Sequence, residues 1–152
     1  MDKLAIWEVF LFSVPEAAVI ISIAFGLAGA EFLPMKILYM SLLTGFILYF
    51  IRPLISSYIV NVILYIGTLM ILFLTFKVMD FFKGMMSIIL AVSIYLIIEY
   101  LNVTAIQFLL DLEPVLLLKD YVLRFECFLP QLLTAILVSF VIRKYKLSLF
   151  TE

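Results

Sequence analysis

Long runs of apolar residues, separated by short clusters of charged residues, account for almost the whole chain. A transmembrane helix needs about 20 predominantly apolar residues, and five runs come close to that length. They cover residues 4–29, 34–51, 57–76, 82–101 and 127–142. The pattern therefore predicts an all-α polytopic membrane protein, a bundle of about five transmembrane helices that forms one domain over residues 1–152.

The stretch 102–126 breaks this pattern, because charged and amide side chains recur among its leucines and phenylalanines. It is too polar for a span that faces lipid, yet apolar residues still dominate it. An amphipathic or re-entrant segment at the membrane interface fits best, and a short sixth span is the alternative. The polar residues are Gln107, Asp111, Glu113, Lys119, Asp120, Arg124 and Glu126.

The overall composition supports residence in a membrane. Of the 152 residues, 67% are hydrophobic and 14% are charged, whereas about 25% are charged in a typical soluble domain. A soluble protein of this size has too little interior to hide so much apolar surface, so we expect the lipid bilayer to surround it. The net charge of −1 gives no basic excess that would favour nucleic-acid binding.

The inventory of residue types argues against catalysis. The chain has no histidine and one cysteine, Cys127, which excludes Ser-His-Asp and Cys-His nucleophiles, Cys/His metal sites and internal disulfides. It also has no glycine-rich phosphate-binding loop. We therefore expect a non-enzymatic protein without a cofactor.

The distribution of basic residues predicts the orientation, since cytoplasmic loops carry an excess of Lys and Arg. The side with more of them is expected to be cytoplasmic, which places the N-terminus outside the cell membrane and the C-terminus in the cytoplasm. Acidic Asp2 and Glu8 flank Lys3, so we expect the first span to be a retained helix rather than a cleaved signal. One side holds Lys36, Lys77, Lys83, Arg143, Lys144 and Lys146, and the other holds Lys3, Arg52, Lys119 and Arg124.

Charged residues inside spans are energetically expensive and point to function. In the predicted topology they gather, with neighbouring polar residues, in the outer half of the bundle. We hypothesise that they line a cavity open to the outside, suited to a cationic or zwitterionic small molecule or to a peptide with a basic group. The alternative is that each charge ends a helix or reaches the interface. The candidates are Glu8, Glu16, Arg52, Asn61, Glu99, Arg124, Glu126 and Gln131.

Finer expectations concern individual residues. Arg52 is expected to pair with Glu99 or Glu8, and Pro15 is expected to bend the first helix because it frees a backbone carbonyl one turn earlier. Gly26 and Ala30 form a small-xxx-small pair that lets two helices approach closely. Three threonines of the inner half can bond to their own helix, and the tyrosines, Tyr95 included, are assigned mostly to an interfacial belt. The threonines are Thr44, Thr68 and Thr75.

Four segments, LAIWEVFLFSVPEAAVIISIAFGLAG, ILYFIRPL, IIEYLNV and LRFECFLPQLLTAILVSFVIRKYK, resemble the membrane-embedded sensor module of Gram-positive histidine kinases of the Agr quorum-sensing receptor type. The shared marks are Pro15-Glu16, Arg52-Pro53, Glu99 and Pro130. In that family, hydrophobic helices bind a signalling peptide from outside and the last helix leads into a cytoplasmic kinase. This chain has no phosphoacceptor histidine and stops soon after the fifth span, so the resemblance implies a stand-alone sensor module or a fragment.

The leading functional hypothesis is a membrane sensor or receptor-like module that signals through a membrane protein partner. The competing hypothesis is a small ion channel or transporter subunit, built as a homo-oligomer, in which the outer carboxylates form a vestibule that concentrates cations. A structural subunit of a larger membrane complex is a third alternative.

Overall fold

The computed structural model describes residues 5–111, 113 and 119–150, and all regular secondary structure in these residues is helical. Five helices are long and apolar enough to cross a bilayer, which confirms the all-α bundle and makes the chain a multi-pass membrane protein. They are α1 (Ile6–Ala28), α2 (Pro34–Leu54, whose last turn Arg52–Leu54 is a 3-10 turn), α3 (Tyr58–Thr75), α4 (Phe81–Leu110) and α5 (Tyr121–Lys144).

The helices α4 and α5 are longer than the sequence pattern predicts. The predicted end of α4 at residue 101 is wrong, because the helix continues to Leu110, and α5 already begins at Tyr121. Asn102 does not stop α4, since its side-chain amide donates a hydrogen bond to the Cys127 carbonyl on α5, at 2.9 Å. The expected interfacial segment is therefore reduced to residues 111–120, of which 112 and 114–118 lie outside the described residues.

Helix α1 is the central element of the bundle. It packs against α2, α4 and α5, and Ala17, Ile21, Ile23 and Ala24 on it are fully buried. A helix that is apolar all round is expected to be buried all round. The four other spans surround α1 and expose much of their apolar surface to the bilayer.

Just before Pro15, α1 departs from regular α-helical geometry. Residues Val9–Ser13 form a π-helical turn, in which the Val14 N–H donates to the Val9 carbonyl five residues earlier. Such turns are rare and frequently lie at functional sites. The additional residue in the turn changes which side chains α1 presents on either side of it.

The helices alternate in direction, and two ends of the bundle can be defined. At the N-terminal end, where α1 begins, the Trp7 ring contacts the Tyr121 ring with centroids 5.5 Å apart. At the C-terminal end, Gly29 closes α1 in the left-handed region at φ 67°. The chain that follows α5 folds back to this end, where the Leu149 N–H donates to the Leu27 carbonyl at 2.7 Å.

Candidate ligand-binding cavity

A cavity of about 450 Å³ lies among α1, α3, α4 and α5, with Arg52 from the last turn of α2 also in its wall. Its volume falls within the roughly 300–1,000 Å³ that is usual for small-molecule sites. Six of the eight residues that the sequence singled out line this one cavity. They are Glu16, Arg52, Asn61, Glu99, Arg124 and Gln131.

Helical periodicity explains how separate stretches of chain contribute to the same wall. On α3, Tyr58 and Asn61 are three residues apart and lie on one helix face. On α4, Tyr95, Glu99 and Asn102 repeat at intervals of four and three and form the facing wall. The sequence therefore places a polar stripe on each of two helices that otherwise consist mainly of apolar residues.

Glu126 does not belong to the cavity, although it was a candidate. Arg124, Phe128 and Gln131 lie on the cavity face of α5, at spacings of four and three residues. Glu126 is two residues from Arg124 and therefore points about 200° away around the helix. It is exposed on the outside of the bundle, so its inclusion among the residues that line the cavity is wrong.

Glu8 has a structural role just beside the cavity. Its side chain is 4% exposed, and one carboxylate oxygen accepts the Ala5 N–H at 2.7 Å, which caps the start of α1. The other oxygen lies 3.6 Å from Nη1 of Arg124, whose guanidinium also lies over the Phe12 ring at 5.0 Å. The expected pairing of Glu8 with Arg52 is therefore wrong, because Arg124 on the parallel helix α5 occupies that position.

Glu16 and Glu99 face the same cavity from α1 and α4. Within residues 5–111, 113 and 119–150, neither carboxylate has an ion-pair partner within 4.0 Å or a side-chain hydrogen bond. The expected Arg52–Glu99 ion pair is thus not formed at that distance, although both residues line the cavity wall. Two carboxylates with unused acceptor oxygens therefore face a concave site that also contains two guanidinium groups.

Two buried tyrosines, which were not among the candidate residues, complete the site. Tyr65 and Tyr95 line the cavity with 7% and 2% of their surfaces exposed. Among the described residues, no hydrogen bond of 3.5 Å or shorter reaches either hydroxyl or Oδ1 of Asn61. The Gln131 side chain lies beside the Tyr95 hydroxyl, so Tyr65 and Asn61 have the more clearly unused polar atoms. An unsatisfied buried polar group costs about 1–3 kcal/mol, so these atoms are positioned to bond to something that enters the cavity.

The assignment of Tyr95 to the interfacial belt was wrong, because this side chain points inward. A usable signal was present in the sequence: Tyr95 precedes Glu99 by one helical turn, and Tyr65 follows Asn61 by one turn. Residues at this spacing share a helix face. A tyrosine on the same face as an intramembrane polar residue therefore indicates a cavity wall rather than an anchor.

The half of the bundle toward the C-terminal end is chemically different. Two of the three threonines bond to their own helix, as expected: Thr44 donates to the Met40 carbonyl at 2.7 Å and Thr75 to the Ile71 carbonyl at 2.8 Å. Within the part of the chain that the structure describes, Thr68 makes no such bond, and the buried Ser87 hydroxyl in this half has no hydrogen-bond partner. The cavity therefore does not continue as a polar path along these side chains. Among the described residues, no three His, Cys, Asp or Glu side chains are grouped so that they could hold a metal ion.

Comparisons with known proteins add no assignment. No protein-family model, curated protein or solved structure matches the chain.

Proposed function

We propose that this protein is a non-enzymatic sensor or receptor-like module that binds a small amine-bearing ligand in the cavity between α1, α3, α4 and α5. The observation that carries the proposal is the group of polar side chains with unused hydrogen-bonding atoms that line one half-open cavity: Glu16, Asn61, Tyr65 and Glu99. Empty cavities in protein interiors are typically apolar, whereas polar side chains such as these bond to ordered water or to a bound ligand.

The composition of the wall favours a cationic or zwitterionic ligand. Glu16 and Glu99 can accept hydrogen bonds from an ammonium group, and such charge-assisted bonds are roughly twice as strong as neutral ones. The aromatic rings of Tyr58 and Tyr95 offer π faces that attract the same cation. Arg52 is available for an anionic group at the other end of a zwitterion. A volume of about 450 Å³ accommodates one small molecule or the basic residue of a peptide, not a folded partner.

The topology proposed for this module places the cavity end of the bundle outside the cell. The described residues at the C-terminal end include all six basic residues of the richer side, and the positive-inside rule assigns that end to the cytoplasm. A ligand would then enter from the extracellular side. Helix α5, which carries Arg124 and Gln131 in the cavity wall, ends at this cytoplasmic face and would transmit the bound state to a membrane partner.

The composition of the bundle half that lies away from the cavity favours a binding protein over a channel. A single-chain pore requires polar groups along its whole length, whereas Thr44 and Thr75 bond to their own helices. A channel or transporter subunit stays the alternative, and it would need a pathway formed between copies. Ion flux through liposomes that contain only this purified protein would favour that alternative.

The test uses the full chain in detergent micelles and two probes of the same shape. Phenethylamine is cationic at neutral pH, and phenethyl alcohol is its neutral analogue. A ligand that binds only the folded state raises the unfolding temperature by mass action. We expect phenethylamine to stabilise the protein and Glu16→Gln to weaken its apparent affinity about tenfold, since a hydrogen bond to a charged group contributes about 1.5–3 kcal/mol.

Glu126→Gln is the matched control, because it makes the same chemical change on the exposed face of α5. Both variants must elute as monodisperse protein with unchanged helical circular dichroism. Equal affinities of the two variants for phenethylamine would refute the proposed role of Glu16. Absence of stabilisation by phenethylamine, or equal stabilisation by phenethyl alcohol, would refute the proposed ligand class.

A further inference from the structure

A second cavity, of about 540 Å³, lies at the C-terminal end of the bundle, on the opposite face of the membrane from the first. Its floor is the end of α1 at Gly26 and Gly29. Three basic residues line it: Lys83 from the first turn of α4, Arg143 from the last turn of α5, and Lys146 just after α5. The lining residues in the described chain include no acidic side chain, so the site is a concave, positively charged surface.

Arg143 is held in place by two contacts. Its Nη2 donates to the Ser22 carbonyl on α1 at 3.4 Å, and its guanidinium carbon lies 3.6 Å from the centroid of the Phe32 ring. A guanidinium has five N–H donors, and the hydrogen bond to the Ser22 carbonyl uses one donor of Nη2. The remaining donors are preorganised, which lowers the entropy cost of binding a further group.

The other two cations approach the same space from different elements. Lys83 lies on the side of the cavity formed by Phe150, with Nζ 5.7 Å from that ring centroid. Lys146 is in the left-handed region at φ 50°, so the chain turns back there and carries residues 147–150 across the end of α1. Within the described part of the chain, none of the three basic groups lies within 4.0 Å of a carboxylate oxygen.

We propose that this cavity binds a phosphate group. Arg presents paired donors that match two oxygens of a phosphate, and Lys adds compact positive charge beside it. The site lies where the helices end, at the level of lipid headgroups, and basic pockets between transmembrane helices at such a level bind the headgroups of anionic phospholipids. The phosphate can come from a phospholipid or from solution, and the experiment separates these sources.

The test uses the full chain in a neutral detergent and follows the unfolding temperature with three probes. Dioctanoyl phosphatidylglycerol carries a net negative phosphodiester, dioctanoyl phosphatidylcholine has the same chains with a zwitterionic headgroup, and inorganic phosphate has no chains. We expect phosphatidylglycerol to stabilise the protein at concentrations at which phosphatidylcholine has no effect. Stabilisation by inorganic phosphate at similar concentrations would assign the site to dissolved phosphate instead, and would still support the proposal.

Site-directed variants then decide whether the cavity itself is responsible. Arg143→Gln and Lys146→Gln should each weaken phosphatidylglycerol binding about fivefold, from the contribution of one basic residue near a charged surface. Lys144→Gln is the matched control, since Lys144 is an exposed neighbour that does not line the cavity. If Arg143→Gln fails to fold, Lys146→Gln carries the comparison, because Lys146 lies beyond α5 and is exposed.

Three outcomes would overturn the proposal. The first is equal weakening by Lys144→Gln and Lys146→Gln, which would assign the effect to general surface charge. The second is equal stabilisation by the two lipids that Arg143→Gln and Lys146→Gln both leave unchanged, which would assign it to the acyl chains. The third is no stabilisation by any phosphate-bearing probe.

Discussion

The contact between α1 and α5 at Gly26 offers a quantitative test of the packing. A Cβ atom added to Gly26 would lie 2.9 Å from Cγ2 of Ile142 and 3.5 Å from Cγ of Arg143. Ile142 is 6% exposed, and Cγ2 branches directly from its Cβ, so this methyl group cannot move away by a simple rotation of a flexible chain end. Gly26→Ala therefore forces the two helices apart or distorts the Ile142 rotamer.

The expected cost follows from the size of this overlap. Inserting a methyl group into a well-packed interior costs about 1–3 kcal/mol. The gain in helix propensity from Gly to Ala, about 1 kcal/mol in water, offsets part of this and is expected to be smaller for a segment that stays helical when the bundle comes apart. We therefore expect Gly26→Ala to lower the free energy of unfolding by about 1–2 kcal/mol.

Gly67 provides the control, since nothing lies within 4 Å of a Cβ added there. The assay is reversible unfolding of the purified protein in mixed micelles with increasing dodecyl sulfate, followed by circular dichroism and tryptophan fluorescence. Gly67→Ala should leave the free energy of unfolding within about 0.5 kcal/mol of the parent value. Gly26→Ala combined with Ile142→Ala should cost less than the sum of the two single changes.

Equal stability of Gly26→Ala and Gly67→Ala would refute the close approach of α1 and α5 at this position. Strict additivity of the Gly26 and Ile142 changes would refute the specific contact while leaving the helix pairing in place. The result also bears on the second cavity, because Gly26 forms part of its floor.

Two further predictions concern α5. A double-mutant cycle with Glu8→Gln and Arg124→Gln should give a coupling free energy of about 1–2 kcal/mol, above the usual 0.2–1 kcal/mol of exposed ion pairs. The reason is that the Glu8 side chain is 4% exposed and that of Arg124 is 38% exposed. A coupling free energy near zero would contradict the assigned pair. Asp120→Ala should cost about 1 kcal/mol, since its carboxylate accepts two backbone N–H bonds at 3.0 and 3.4 Å at the start of α5. Asp80→Ala is its control, because Asp80 precedes α4 without such a bond, and equal losses would argue against the cap. Both pairs are measured by the same micellar unfolding assay.

The number of spans and most of their bounds follow from the sequence because the bilayer imposes one strong rule. An apolar run of sufficient length becomes a helix, and the helix α2 ends where Arg52-Pro53 interrupts the run. The extension of α4 past Asn102 is not predictable in this way. There the Asn102 side chain donates a hydrogen bond to the Cys127 carbonyl, which is 25 residues away and lies on another helix.

For the candidate site, too, some features follow from the sequence and others depend on the packing of the helices. The position of a residue along a span follows from its distance to the span ends, so the sequence places Glu16 and Glu99 toward the same end of the bundle, and both line one cavity. Rotation about the helix axis is harder to predict, because apolar residues lie on every face of α4 and α5, and the polar residues Arg124, Glu126 and Gln131 of α5 do not share one face. Glu126 was therefore included and Tyr95 was misassigned, since each depends on which side of its helix faces the bundle.

The central place of α1 has a consequence for biosynthesis. Of the five described spans, α1 is made before α5, and Glu8 does not meet Arg124 until the ribosome has added more than a hundred residues. At about 5–20 residues per second, that interval is on the order of ten seconds. During it, the nascent first segment presents an uncompensated carboxylate and an unpacked glycine surface to lipid or to the insertion machinery. Any product that stops before the fifth segment would keep both features exposed, and the cell could recognise it as incomplete by them.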